Sequence, residues 1–162
     1  MILQEVQLIE IEEQEAPQLL EVVMVYLQEL GLEDTDYPYL SLYWEEENRK
    51  AFWISYNAQN IGFIMVHNYV IDQAFKADHS IAEFYIQAEF RNQGIGKQTL
   101  LRLFQHFTKV KWEVGCLRNN IKALKFWQSF IQKMPTQYFH KHELEEAIVF
   151  VFTLSEPNEV QY

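Results

Sequence analysis

The chain has 162 residues, a formal net charge of -10, 49% apolar and 15% aromatic residues, and a single cysteine. That length buries one sizeable core and leaves little room for a second, so one domain spanning residues 1–162 is expected. The aromatic content excludes a disordered chain, and the acidic balance argues against nucleic acid as a partner, because phosphate backbones need a wide basic footprint. No apolar run approaches membrane-spanning length, and the acidic N-terminus lacks the basic start and apolar middle of a signal peptide, so a cytoplasmic location with no membrane partner is expected. Lone Cys116 has no intrachain partner, which fits a reducing compartment, and its strand-like surroundings favour buried packing over reactivity.

Val6 to Ile11 reads as a first strand. Pro17 then opens a helical pattern through Leu19, Leu20, Val23, Leu27 and Leu30, which Gly31 closes. Asp34 to Glu47, with Leu40, Tyr43 and Trp44 on helical spacing, reads as a second helix. Ala51–Tyr56 and Ile61–Val70 read as strands joined by the polar turn Asn57-Ala58-Gln59-Asn60. A loop around Ile71 to Asp78 leads to a strand over Ile81–Gln87. The helix that follows carries Leu100, Leu103, Phe104 and Phe107 on one face. Lys111–Leu117 is the next strand, Asn120–Lys133 a helix, and Gln137–His140 and Ala147–Leu154 two closing strands. The alternation predicts an α/β fold with helices on both faces of a mixed sheet.

Charge is unevenly spread. Residues 1–48 hold 13 acids and no Lys or Arg, whereas Arg91 to Lys133 holds 9 of the 13 basic residues with Glu113 as the sole acid. The basic stretch includes Arg91-Asn92-Gln93-Gly94-Ile95-Gly96-Lys97-Gln98, between a strand and a helix. The first N–H groups of a helix have no intrahelical partner and carry partial positive charge, so anions settle there. Gly94 and Gly96 allow open backbone angles and close approach, while Arg91 and Lys97 add full charges. The spacing matches neither a P-loop nor a dinucleotide fingerprint, since Thr99 stands where the latter needs glycine.

The spacing Arg91-x-x-Gly94-x-Gly96 resembles the acyl-CoA pyrophosphate loop of the GNAT superfamily of N-acyltransferases. Two flanks extend the resemblance: Glu83 to Arg91 is similar to the family's fourth strand, with Ala88 where proline is common, and Trp112-Glu113-Val114 followed by Asn120-x-x-Ala123-x-x-Phe126-Trp127 is similar to the fifth strand and the helix after it. Tyr43 to Arg49, with these segments, is also similar to a bacterial subgroup of predicted acetyltransferases. The resemblance implies the GNAT-like acyl-CoA N-acyltransferase fold, with a mixed central sheet of about six to seven strands. It implies acetyl-CoA as co-substrate, no metal, and direct transfer of acetyl to a primary amine in a ternary complex.

In that family the fourth and fifth strands splay apart and the acyl-pantetheine arm lies between them. Phe84, Tyr85 and Ile86 would then contact the arm through their backbone, and Arg91 to Gln98 would hold the pyrophosphate. Asn120, Ala123, Phe126 and Trp127 would complete the donor site, Asn120 also suiting a helix N-cap. An ammonium cannot attack, so a base is needed. Glu83 is the first candidate, with His67 and His79 as further acceptor-side residues near strand ends, and Tyr43 as a wall of the acceptor pocket. Trp127 stands where many relatives carry tyrosine, and an indole N–H is no acid at accessible pH. The alternative functions are a non-catalytic acyl-CoA sensor or interaction module on this fold, and a phosphate-binding domain of another fold. The acidic N-terminal region suits a small-molecule or peptide amine, cationic by preference, although Glu-rich helices are also ordinary solvated faces. A homodimer is common in such families.

Overall fold

The computed structural model describes residues 5–32, 36–69, 71 and 73–155. Seven strands follow the order β1-β2-β3-β4-β5-β7-β6 in one mixed sheet. The chain divides into two compact units, Met1–His67 with Glu83–His106, and Asn68–Ala82 with Phe107–Tyr162, so strand β4 contributes to both.

In the first unit, β1 (Val6–Glu10) pairs antiparallel with β2 (Arg49–Tyr56), and β2 with β3 (Gln59–His67). The β2–β3 connection is two residues long where four were expected. Asn57 and Ala58 both take positive φ, 53° and 61°, the twist a two-residue hairpin turn requires. Helix α1 (Ala16–Glu29) presents Leu19, Val23 and Leu27 as a buried stripe at four-residue spacing, with Pro17 in its first turn and Gly31 at φ +78° past its end. Its stripe packs with Trp53, Phe63, Met65, Tyr43 and Tyr85. Each fully buried side chain of this size contributes about 1.5–3 kcal/mol. The opposite sheet face packs Val6, Ile54 and Ile61 with Ile95 of α3 (Ile95–His106), so helices cover both faces of this unit, as the sequence pattern predicts.

The second helix is much shorter than its pattern suggests: α2 covers only Leu42–Glu45. The residue before proline is driven away from helical angles, and Tyr37 precedes Pro38. Tyr37 N instead donates to Asp36 Oδ1 at 2.8 Å, and tight turns carry the chain on, with Leu40 N donating to Tyr37 O at 3.1 Å. The expected helix start at Asp34 and the expected end of the hairpin strand at Val70 lie outside the described residues; β3 itself ends at His67.

In the second unit, the first part of β4 (His79–Ile86) runs parallel to β5 (Trp112–Leu117) through His79↔Trp112, Ser80↔Glu113 and Ile81↔Val114. Strand β7 (Ala147–Leu154) pairs antiparallel with β5 and with β6 (Thr136–Glu143), which is longer than its sequence pattern. Helix α4 (Ile121–Lys133) buries Trp127, Phe130 and Ile131. Glu113 is fully buried, and its Oε1 accepts from Ile71 N. Cys116 is buried, and burial pushes its thiol up to about 12, an unreactive packing residue as expected.

Candidate active site

In the first unit, β4 leads through a short 3-10 turn at Ala88–Phe90 into the glycine loop and α3. Alternation along the strand decides what each residue meets. Tyr85 joins the α1-side core, while Phe84 and Ile86 pack against the opposite cluster with Ile95. Gln98 N donates to Gly94 O at 3.1 Å, the first helical bond, so the N–H groups just before it have no carbonyl of their own helix to reach. Asn92 and Gly94 both take positive φ, 62° and 81°, and no atom lies within 4 Å of where a Cβ on Gly94 would stand. The turn is open, Gly94, Lys97 and Gln98 are exposed, and Ile95 anchors it in the core. An anion can approach here without meeting a side chain.

Arg91 behaves differently from the free cation expected beside an anion. Its Nε donates to Ile86 O at 2.7 Å, its terminal nitrogen pairs with Glu29 at 2.5 Å, and its guanidinium lies 5.4 Å from the Tyr85 ring centroid. Tyr85 donates its hydroxyl to the same Glu29 at 3.3 Å. The arginine thus ties the loop to the end of α1, and Lys97 remains the exposed charge at the helix start. Gln93 also bonds inward, to Glu89 O at 2.9 Å.

Glu83 is half-buried on β4 and accepts from the Tyr37 hydroxyl at 3.4 Å. Burial raises its pKa above the ordinary carboxylate value, while hydrogen bonds from Tyr26 and Tyr37 pull it partly back. Tyr43 is buried in the same neighbourhood, and its phenol pKa is raised by burial and by the Glu83 charge, against the lowering effect of Arg49. The structure therefore brings Glu83 and Tyr43 together and adds Tyr26 and Tyr37. Their grouping has no local sequence signal, because the four residues come from four separate segments.

Recesses open on this unit among the described residues. One of about 310 Å³ is lined by Glu13, Asp36, Tyr37, Ser41 and Trp44 among others, and one of about 300 Å³ by Glu15, Glu21, Trp53, Asn60, Gly62 and Gln87 among others. Both carry carboxylates beside an indole. Trp44 is a packing residue, its indole N–H donating to Ile11 O at 2.8 Å. His67 ends β3, half-buried, opposite Arg49 of β2.

The remaining candidates lie in the second unit. His79 begins β4; its Nδ1 is 2.7 Å from Asp78 O and its ring packs edge-on against Phe107 and Trp112, the setting of a structural histidine. Asn120 caps α4, its side-chain oxygen accepting from Ala123 N at 3.2 Å. Phe126 is half-buried beside Trp127, which packs against Phe130 and Phe152 in the core. Among the described residues no group of three His, Cys, Asp or Glu is placed to hold a metal ion, and no helix is long and apolar enough to cross a membrane.

No curated protein matches the sequence. Solved structures do match in fold. An acetyltransferase from Thermus thermophilus has a TM-score of 0.71 at 17% identity, covering 93% of this chain and 98% of its own. The microcin C7 self-immunity acetyltransferase MccE, in complex with acetyl-CoA and AMP, has a TM-score of 0.62 at 15% identity, covering 93% of each chain. A chimera of the spermidine N-acetyltransferase SpeG from Vibrio cholerae and hSSAT has a TM-score of 0.61 at 13% identity, covering 93% of this chain and 95% of its own. The model of the acetyltransferase (GNAT) family matches residues 9–130, which include Glu83, the whole glycine loop and α3. With three quarters of its length matched by that model, and with the mixed sheet and strand–loop–helix described above, the chain belongs to the GNAT acetyltransferase family.

Proposed function

We propose that this protein transfers an acetyl group from acetyl-CoA to a primary amine by direct attack in a ternary complex. The observation that carries the reading is Glu83, a half-buried carboxylate with a raised pKa on the strand that runs into the open glycine loop. The loop fits a pyrophosphate: Gly94 leaves its surface clear, the start of α3 offers unpaired N–H groups, and Lys97 supplies an exposed charge. Acetyl-CoA, when bound, supplies the acyl group as an activated thioester.

Glu83 does the work on the amine. An incoming ammonium loses a proton to a Glu83 carboxylate oxygen, directly or through one water, which frees the nitrogen lone pair for attack. A carboxylate whose pKa is raised by burial is a stronger base than an exposed one. The nitrogen then bonds to the acetyl carbon, the C–S bond breaks, and CoA leaves as the thiolate, which takes up through water the proton the nitrogen sheds, because the Trp127 indole has no titratable proton in the accessible range. The acidic N-terminal third and the carboxylate-lined recesses favour a cationic amine, small molecule or peptide, in keeping with a similar structure named as a spermidine N-acetyltransferase. The same acidity disfavours nucleic acid as acceptor. A cytoplasmic location and a homodimer remain part of this reading.

The test has two stages. Acetyl-CoA at about a hundred times its dissociation constant should stabilise the protein by about 2.7 kcal/mol; no thermal shift at saturating acetyl-CoA removes the donor assignment. Thiol release across an amine panel then identifies turnover, and Glu83→Gln should slow it while leaving acetyl-CoA binding intact. One observation favours a second reading, an acyl-CoA sensor: Trp127 sits in the core where many relatives carry tyrosine. Binding without thiol release for any amine would establish it.

A further inference from the structure

Glu83 is enclosed by tyrosines from three separate segments: Tyr26 of α1, Tyr37 of the turn after it, and Tyr43 of α2. Tyr37 donates to Glu83 Oε1 at 3.4 Å. The Tyr43 hydroxyl is buried with no partner at hydrogen-bond geometry, yet it is close enough to Tyr37 for each phenol to act on the other. Arg49 of β2, 5.4 Å from the Tyr43 ring centroid and ion-paired to Glu46 at 3.2 Å, is the cation facing the two phenols. These are the titratable groups that face Glu83 from α1, the turn, α2 and β2.

A carboxylate in such a place is under two opposed influences. Burial favours the neutral acid, which would leave nothing to accept a proton; donated hydrogen bonds favour the anion and hold it in one orientation. Tyr37 suits the second task. Burial and the adjoining Glu83 charge push its own pKa far above the ordinary phenol value, so it stays protonated and acts only as a donor. Its ring is packed against the α1-side core, which fixes where the hydroxyl points.

We propose that Tyr37 is a positioning residue for Glu83, its hydroxyl donating to the carboxylate and so orienting it for proton transfer. The proposal rests on Glu83 as the base, but its test does not depend on turnover. The Glu83 carboxyl is followed by NMR titration of the intact protein, its signal assigned by its loss in Glu83→Gln. In Tyr37→Phe the midpoint should rise by about 1 pH unit, the effect of losing a hydrogen bond to a charged group. Difluorotyrosine at position 37 keeps the ring and the hydroxyl but acidifies it, and should move the midpoint down, a reversal that mere packing would not produce.

With a reactive amine in hand, the acid limb of kcat/KM should move with the midpoint while KM for acetyl-CoA stays unchanged. A midpoint that does not move in either Tyr37→Phe or the difluorotyrosine protein overturns the proposal, even if the enzyme acetylates amines. Midpoints that move in a protein acetylating no amine support the positioning and remove the transferase reading instead.

Discussion

Gly62 of β3 has the least tolerant backbone position in the first unit, and replacing it by alanine tests how β3 and β4 are held together. A Cβ there would lie 2.0 Å from Tyr85 O and 3.0 Å from the Ile86 Cα. Both obstacles are backbone, so no side chain can rotate away, and the two strands must part by about 1 Å. That movement stretches the neighbouring bond from Gln87 N to Ile61 O, now 2.8 Å, beyond hydrogen-bond range. Overpacking costs about 1–3 kcal/mol and a buried backbone group left unsatisfied about 1–3 kcal/mol more, so Gly62→Ala should lose about 2–6 kcal/mol. For a chain of this size that is a fall of about 10 °C in Tm. Urea unfolding and calorimetry measure it, with Gly31→Ala as the comparison. Gly31 has φ +78° but open space around its Cβ position, so alanine there meets only backbone strain of about 1 kcal/mol. If Gly62→Ala proves no more destabilising than Gly31→Ala, the close approach of β3 and β4 is not what requires glycine.

Three further outcomes follow from the same geometry. Ala58→Gly should stabilise the protein by about 0.5–1 kcal/mol in denaturant unfolding, because Ala58 holds φ 61° in the hairpin turn, where a Cβ is strained. Asn120→Ala should cost about 1 kcal/mol by the same measurement, through loss of the cap on Ala123 N, while Asn120→Asp, which retains the acceptor oxygen, should cost less. Glu83→Gln should be more stable than the parent at pH 7 to 8, with the gain vanishing toward pH 4 in thermal scans. The Glu83 pKa is raised on folding, so its contribution is fully present below the ordinary carboxylate value of 4.5 and is lost as pH rises through the raised value; the neutral amide does not titrate. A gain independent of pH would mean that burial of the charge is not its source.

The stretch from β4 through the glycine loop into α3 was legible because its determinants are local: an apolar strand, two glycines, then apolar residues on helical spacing. The second helix is not, because Leu40, Tyr43 and Trp44 keep helical spacing while Pro38 drives Tyr37 away from helical angles, and the folded chain resolves the conflict in favour of the turn. The hairpin turn was placed but drawn two residues too long, since alanine carries no sign that it will adopt positive φ at position 58. Glu83 stood out by its place before the loop, whereas the tyrosines around it come from distant segments. Arg91 shows the same limit more sharply: its motif position suggests a phosphate contact, and only the folded chain brings Glu29, 62 residues away, to its guanidinium.

Strand β4 serves the candidate site through its period of two. Tyr85 joins the α1-side core and Glu83, on the same face, meets Tyr37, while Phe84 and Ile86 turn to the side where Ile95 anchors the start of α3. A slip of one residue would put Phe84 among the tyrosines and Glu83 against Ile61 and Ile95, burying an unpartnered charge. Something must therefore hold the register more firmly than apolar patterning, because Phe84, Tyr85 and Ile86 would each be tolerated on either face. Gly62 meets that need: only a residue without a Cβ can lie against the Tyr85 carbonyl. The position of the proposed base is thus set from β3, by the one residue type that fits against the Tyr85 carbonyl.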